Sequence, residues 1–226
     1  MDNDKQQHVS ITNSQVQVVP NATGASITIN GSQSSAAPQQ PSAVIRHYIT
    51  HDAVGVPVLI RRAHRYLVFH AAFYPKYGFD DQGQYVKEAM EQNPNLRLTA
   101  IFTDVHVGWV EEFARTLRSY FTAEEFTASL EMSRRHFIRC REQFGSSRVH
   151  ICDTPRLPMF PVILIDDTLV IGHYAHSRVI PPHGLWITVQ HPNIPAMYTA
   201  MLAGIPPVVS TPEESAILRY IEELIV

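Results

Sequence analysis

From residue 43 onward, apolar runs of strand length alternate with stretches whose apolar positions recur at helical spacing. The sharpest pattern is Val162-Ile163-Leu164-Ile165, interrupted by Asp166-Asp167-Thr168 and resumed as Leu169-Val170-Ile171 before Gly172. Apolar, β-branched-rich runs bounded by turn residues predict a β-hairpin, and Leu185 to Gln190 predicts a third strand after it. Earlier, Tyr66 to Ala71 predicts a buried strand. A turn-rich loop, Tyr74-Pro75-Lys76-Tyr77-Gly78, precedes a helix over about 82–92, with Tyr85, Val86, Ala89 and Met90 on one face. Asn93-Pro94-Asn95 stops that helix, and Leu96 to Phe102 forms the next strand, leading to Thr103-Asp104. A strand-loop-helix-strand order predicts a parallel pair joined by a right-handed crossover.

The remaining elements are mostly helical. Ala43 to Arg65 carries helical patterning divided at Pro57, since an interior proline removes a helix hydrogen bond. Val110, Phe113, Ala114, Leu117 and Phe121 form one stripe. Thr122-Ala123-Glu124-Glu125 has the form of a capping box, opening a helix that Gly145 closes. One face of that helix carries Arg134, Arg135, Arg139 and Arg141, a candidate phosphate or acidic-ligand site whose plainer role is a solvated face. Val149 to Cys152 is a short strand. Helices over 194–203 and 212–226 finish the chain, the second capped by Thr211 with Glu214 completing the box. Together these predict one α/β domain over residues 43–226, with strands at Tyr66, Leu96, Val149, Val162, Leu169 and Leu185 in a single mixed sheet.

Residues 1–42 differ in kind. Ser, Asn, Gln, Thr, Ala and Pro dominate, aromatics are absent and charges stop after Lys5. So little apolar surface cannot offset the entropy of ordering, which predicts a disordered tail. Within it, Ser10-Ile11-Thr12-Asn13-Ser14-Gln15 recurs sixteen residues later as Ser26-Ile27-Thr28-Ile29-Asn30-Gly31-Ser32-Gln33, with Val16-Gln17-Val18-Val19 between. Uncharged β-branched residues alternating with amides and hydroxyls are the composition of cross-β ladders. In outline the tail resembles the short amyloid-forming signalling motifs of fungal and bacterial immune proteins. That resemblance implies assembly through Ile11, Val16, Val18, Ile27 and Ile29, and a protein partner met through residues 9–33. The plain alternative is a solvated leader.

The order of apolar strand, Asp, turn, apolar strand, Gly and polar loop around Asp166 and Gly172 resembles the motif region of phospholipase D-like domains. The opening strand-loop-helix-strand-Asp order and the closing strand and helix are similar to that family as well. The resemblance implies an α/β fold over residues 43–226 and an active site built from two half-domains, hence a homo-oligomer. It also implies an H-x-K-x4-D pattern. Counting back from Asp166 reaches Met159 and Pro161, and from Asp167 it reaches Phe160 and Val162, so neither register holds the nucleophilic His or its Lys.

Composition narrows the chemistry. The net charge of -3 provides no overall basic field for nucleic acid, and the two cysteines, Cys140 and Cys152, make no disulfide framework, pointing to a reducing, cytoplasmic setting. No apolar run reaches the roughly 20 residues of a membrane-spanning helix. Among twelve histidines, His70 stands at the C-terminal end of a strand, where ligands sit in open α/β sheets. With Asp104 at the end of the next strand, and with His173 and His176 beyond Gly172, it forms the candidate acid-base set. His173 and His176 could share a metal with Asp166 or His183, but a structural or solvent-exposed role weighs more, and neither a metal nor a cofactor is expected. Adjacent Asp166 and Asp167 read as a turn rather than a dyad. Three functions follow: a non-catalytic phospholipase D-like domain in binding or signalling, a hydrolase or phosphodiesterase using the His/Asp set, and a ligand-sensing regulator.

Overall fold

The computed structural model describes residues 42–70, 83–117, 122–174 and 181–226, together with the backbone of 15–21 and 24–30. Seven strands form one mixed sheet in the order β3-β9-β8-β7-β4-β5-β6, with helices on both faces. In chain order these are β3 (Val44–Tyr48), β4 (Tyr66–His70), β5 (Arg97–Thr103), β6 (Val149–Thr154), β7 (Val162–Ile165), β8 (Thr168–Ile171) and β9 (Trp186–Gln190). β4, β5 and β6 run parallel, as the helical crossovers between them require, while β7, β8, β9 and β3 continue the sheet antiparallel.

The helices are α1 (His51–Val54), α2 (Val56–Arg61), α3 (Gly83–Gln92), α4 (Val110–Leu117), α5 (Ala123–Phe144), α6 (Ile194–Leu202) and α7 (Pro212–Glu222). The alternation of each strand divides the core. Leu67, Phe69, Leu98, Ala100, Phe102, Ile163 and Ile165 meet α1 to α5 on the first face. Val68, Ile101, Val162, Leu164, Leu169 and Ile171 meet α6 and α7 on the second. Because the central strands are covered on both sides, β7 and β8 are buried at every position, which is why their sequences are unbroken apolar runs.

Local signals explain the element ends. Thr122 accepts from the Glu125 amide at 3.1 Å while the Glu125 carboxylate accepts from the Thr122 amide at 2.9 Å, the reciprocal box that opens α5. At α7, Thr211 accepts from the Glu214 amide, but the Glu214 carboxylate reaches past the cap to the Ser210 amide and to Asn193. The hairpin turn is Asp166-Asp167, with Asp166 at φ 50. Its carboxylate accepts from the backbone N–H groups of His64 and Arg65 at 2.7 Å each and of Tyr66 at 3.0 Å, so the turn pins the start of β4. Asp167 accepts from the Thr168 hydroxyl and the Gln190 amide.

A further expectation is overturned. Ala43 to Arg65 is not mostly helix: Val44–Tyr48 is an edge strand paired antiparallel with β9, and the helical part is two short turns. The break between them is Gly55, at φ 71, and Pro57 lies in the first turn of α2, where its missing N–H costs nothing. In the tail, β1 (Gln15–Asn21) and β2 (Gly24–Asn30) pair antiparallel, with Val16 opposite Ile29 and Val18 opposite Ile27. Ile11 lies outside the described residues.

Candidate functional site

One edge of the sheet gathers the C-terminal ends of β4, β5, β6 and β8 with the start of β7, since register places His70 beside Ile101 and Val162, and Val162 beside Ile171. This is the edge where a ligand meets an open α/β sheet. Counted back from Asp166, the two positions before β7 are Met159 and Pro161. Met159 is exposed, while Pro161 is buried and its carbonyl accepts from the Gly172 amide at 2.9 Å. Gly172 has no room for a side chain. A Cβ there would stand 2.8 Å from both Pro161 Cγ and Trp186 Cη2, and the indole of Trp186 is itself packed edge-on to His51 at 4.7 Å between ring centres. The position is therefore filled by a proline ring and an indole, groups without a nucleophile or a transferable proton.

His70 faces the other side of the sheet, with Val68 and Ile101, and is 3 % exposed. Burial, reinforced by the positive charge of Arg156, lowers its pKa to about 4, so the ring is neutral at pH 7. Its Nδ1 has no hydrogen-bond partner among the described residues, and neither has the buried hydroxyl of Thr103, two residues beyond Ile101 on β5. Asp104 follows Thr103. Its amide donates to the Thr154 carbonyl and its carboxylate accepts from the His106 amide at 2.9 Å, closing a local turn. No hydrogen bond joins His70 to Asp104 among the described residues. His173 is exposed, and His176 lies outside the described residues.

The four arginines of α5 do not form one free row. Arg134 is turned onto β6, where its guanidinium grips both carboxylate oxygens of Asp153 and lies 5.2 Å from the Phe102 ring centre. Arg135, Arg139 and Arg141 are exposed. Also on α5, His136 and Cys140 are 3.6 Å apart, but burial lowers the imidazole to about 4 and raises the thiol to about 11. Both shifts oppose a thiolate–imidazolium pair. Among the described residues no group of three or more His, Cys, Asp or Glu is placed to hold a metal, and no helix is long and apolar enough to cross a membrane.

Residues without a sequence signal complete this edge. Arg156 sits in the loop after β6, donates to the Ile225 carbonyl at 3.1 Å and adds its charge beside His70. Thr103 and Thr154 face one another across β5 and β6. Only the sheet register brings them together.

No protein-family model matches the chain, and no curated protein matches it. Solved structures to which the chain is similar at low identity include three from different proteins. TrmBL2, an archaeal chromatin protein with a novel mode of DNA binding, is 8% identical with a TM-score of 0.41, covering 72% of this chain and 51% of its own. Phosphatidylserine synthase from Haemophilus influenzae Rd KW20 is 12% identical with a TM-score of 0.44, covering 79% and 42%. NucT from Helicobacter pylori is 10% identical with a TM-score of 0.43, covering 82% and 99%. This chain spans about half the length of the chromatin protein and less than half of the synthase.

Proposed function

We propose that this chain is a phospholipase D-like domain without turnover, acting in binding or signalling, with residues 9–33 as its assembly or recruitment element. The observation that carries this reading is Pro161. In the H-x-K-x4-D frame set by Asp166, the lysine position is a proline ring packed against Gly172 and Trp186, and the histidine position is Met159. A covalent phosphoryl-transfer mechanism lacks its nucleophile there. His70, in register with Val162 next to Pro161, is neutral and enclosed toward the opposite face of the sheet. Incubated with bis(p-nitrophenyl) phosphate, the protein is expected to release no nitrophenol above background. Robust release, abolished by His70→Ala or His173→Ala, would establish a hydrolase instead.

The tail supports the second half of the reading. Pairing of β1 with β2 uses one side of each strand, and β2 lies beside β3, so the outer backbone edge of β1 is the template on which a further strand can add. A peptide spanning Val9 to Gln33 is expected to form thioflavin-positive fibrils. Ile27→Lys or Val18→Pro should prevent them by adding charge or deleting a ladder donor. A random-coil circular dichroism spectrum at high peptide concentration would leave the segment a flexible leader.

A further inference from the structure

The opposite edge of the sheet, where β4, β5 and β6 begin, carries a second surface. Each of these parallel strands starts on an arginine: Arg65 precedes β4, Arg97 opens β5 and Arg148 precedes β6. Their backbones are tied in sequence, the Arg97 amide donating to the Arg65 carbonyl at 2.9 Å and the Leu98 amide to the Arg148 carbonyl at 2.8 Å. The three arginines therefore succeed one another at strand spacing, about 4.8 Å per step. The short link from α2 adds Arg62 and His64.

The charge here is scarcely compensated. Arg61 is held by Glu88 at 3.3 Å and leaves the account. Arg62, Arg65 and Arg97 are exposed, and no carboxylate pairs with any of them among the described residues. Arg148 folds inward, giving its guanidinium to the carbonyls of Met90, Asn93 and Leu96, so it is neutralised by no acid and its charge remains on this edge. The Asp166-Asp167 turn lies at this edge too, with Asp166 occupied by the backbone amides of residues 64 to 66 and Asp167 by the Thr168 hydroxyl and the Gln190 amide. The loops flanking the row expose Asn95, Ser146 and Ser147, short hydrogen-bonding side chains of the kind that meet phosphate and sugar.

We propose that this arginine edge binds the phosphate backbone of single-stranded nucleic acid, without base specificity. Guanidinium forks match phosphate oxygens two at a time, and the exposed Arg62, Arg65 and Arg97 at this edge offer contacts to more than one phosphate. Affinity gained from guanidinium–phosphate contacts comes from charge and is salt-dependent. The site lies across the sheet from the His70 edge and does not depend on whether that edge turns over a substrate.

The test is fluorescence anisotropy of labelled oligo-dT with the full chain. With three phosphate contacts through Arg62, Arg65 and Arg97, the logarithm of affinity should fall with that of salt at a slope of about -2, roughly a 20-fold loss between 50 and 200 mM. The variant R62Q/R65Q/R97Q should lose binding, while R135Q/R139Q on the exposed side of α5 should keep it. Should the triple variant fold poorly by circular dichroism, R65Q and R97Q singly should each lower the slope by about 0.7. Absence of binding at 50 mM salt, an unchanged affinity in the triple variant, or capture by phosphatidylserine vesicles with no binding of oligo-dT would each overturn the proposal.

Discussion

Acidification from pH 6.5 to 4 is expected to cost the fold about 3 kcal/mol at His70 alone, with about 2 kcal/mol already lost at pH 5. The sign follows from where the proton goes. In the unfolded chain an imidazole takes it up near pH 6.5, whereas the native ring, enclosed beside Val68 and Ile101 with the charge of Arg156 acting on it, resists until about 4. Between those values the unfolded state binds more protons, so stability rises with pH and is complete above 6.5. His136 is lowered to about 4 by burial and by Arg139 and acts in the same direction. Urea melts of the wild type and His70→Gln at pH 7.5, 5 and 4 isolate the His70 share, because the glutamine variant retains every other titrating group. Parallel losses in the two proteins would mean that His70 takes its proton in the native state as readily as in the unfolded one.

The second large effect is expected at the turn. Asp166→Ala removes the acceptor of three backbone N–H groups, two exposed to water and one partly buried, and places alanine at φ 50. Water can replace the acceptor for the exposed pair. The partly buried Tyr66 amide and the left-handed backbone bear the remainder, giving a loss of about 3 kcal/mol. Asp166→Asn retains a carbonyl oxygen and tolerates that backbone, so it should cost about 1 kcal/mol. Urea melts at pH 7.5 measure both. Equal losses in the two variants would show that the anchor is not the carboxylate.

Much of the fold is legible in the chain because most of its strands are buried on both faces and its longest helix is capped. Val162 to Ile171 could be read as a hairpin since no exposed face interrupts the apolar runs, and Thr122 with Glu125 marks its helix by chemistry that acts over three residues. The edge strand escapes the same reading. Val44, Ile45, Tyr48 and Ile49 fall at helical spacing, and β3, with three consecutive exposed positions, shows neither alternation nor a continuous apolar run. Its identity is fixed by β9, a partner distant in sequence.

The site was legible only in part. His70 and Asp104 stand at strand ends as their sequence positions imply, yet the side of the sheet that His70 faces depends on the parity of β4. The arginine edge had one local trace, the run Arg61-Arg62-Ala63-His64-Arg65. Arg97 and Arg148 join it through the register of β4, β5 and β6, which no short window contains. Arg134, by contrast, looks like a member of a basic stripe until Asp153 is seen to hold it.

The pairing of β3 with β9 also orders events while the chain is being made. Val44 lies opposite Gln190, so the strand that leaves the ribosome first among the seven has no partner within that sheet until the last of them is synthesised. At ordinary elongation rates that interval is roughly 7 to 30 seconds. The β1–β2 hairpin, whose strands are two residues apart, can close within microseconds of emerging. On a translating ribosome the tail can thus be paired long before the sheet it precedes has an edge, and Ile45 in β3 and Ile49 just after it, both still exposed in the finished domain, spend that interval on a segment without its β9 partner that chaperones and neighbouring nascent copies can reach.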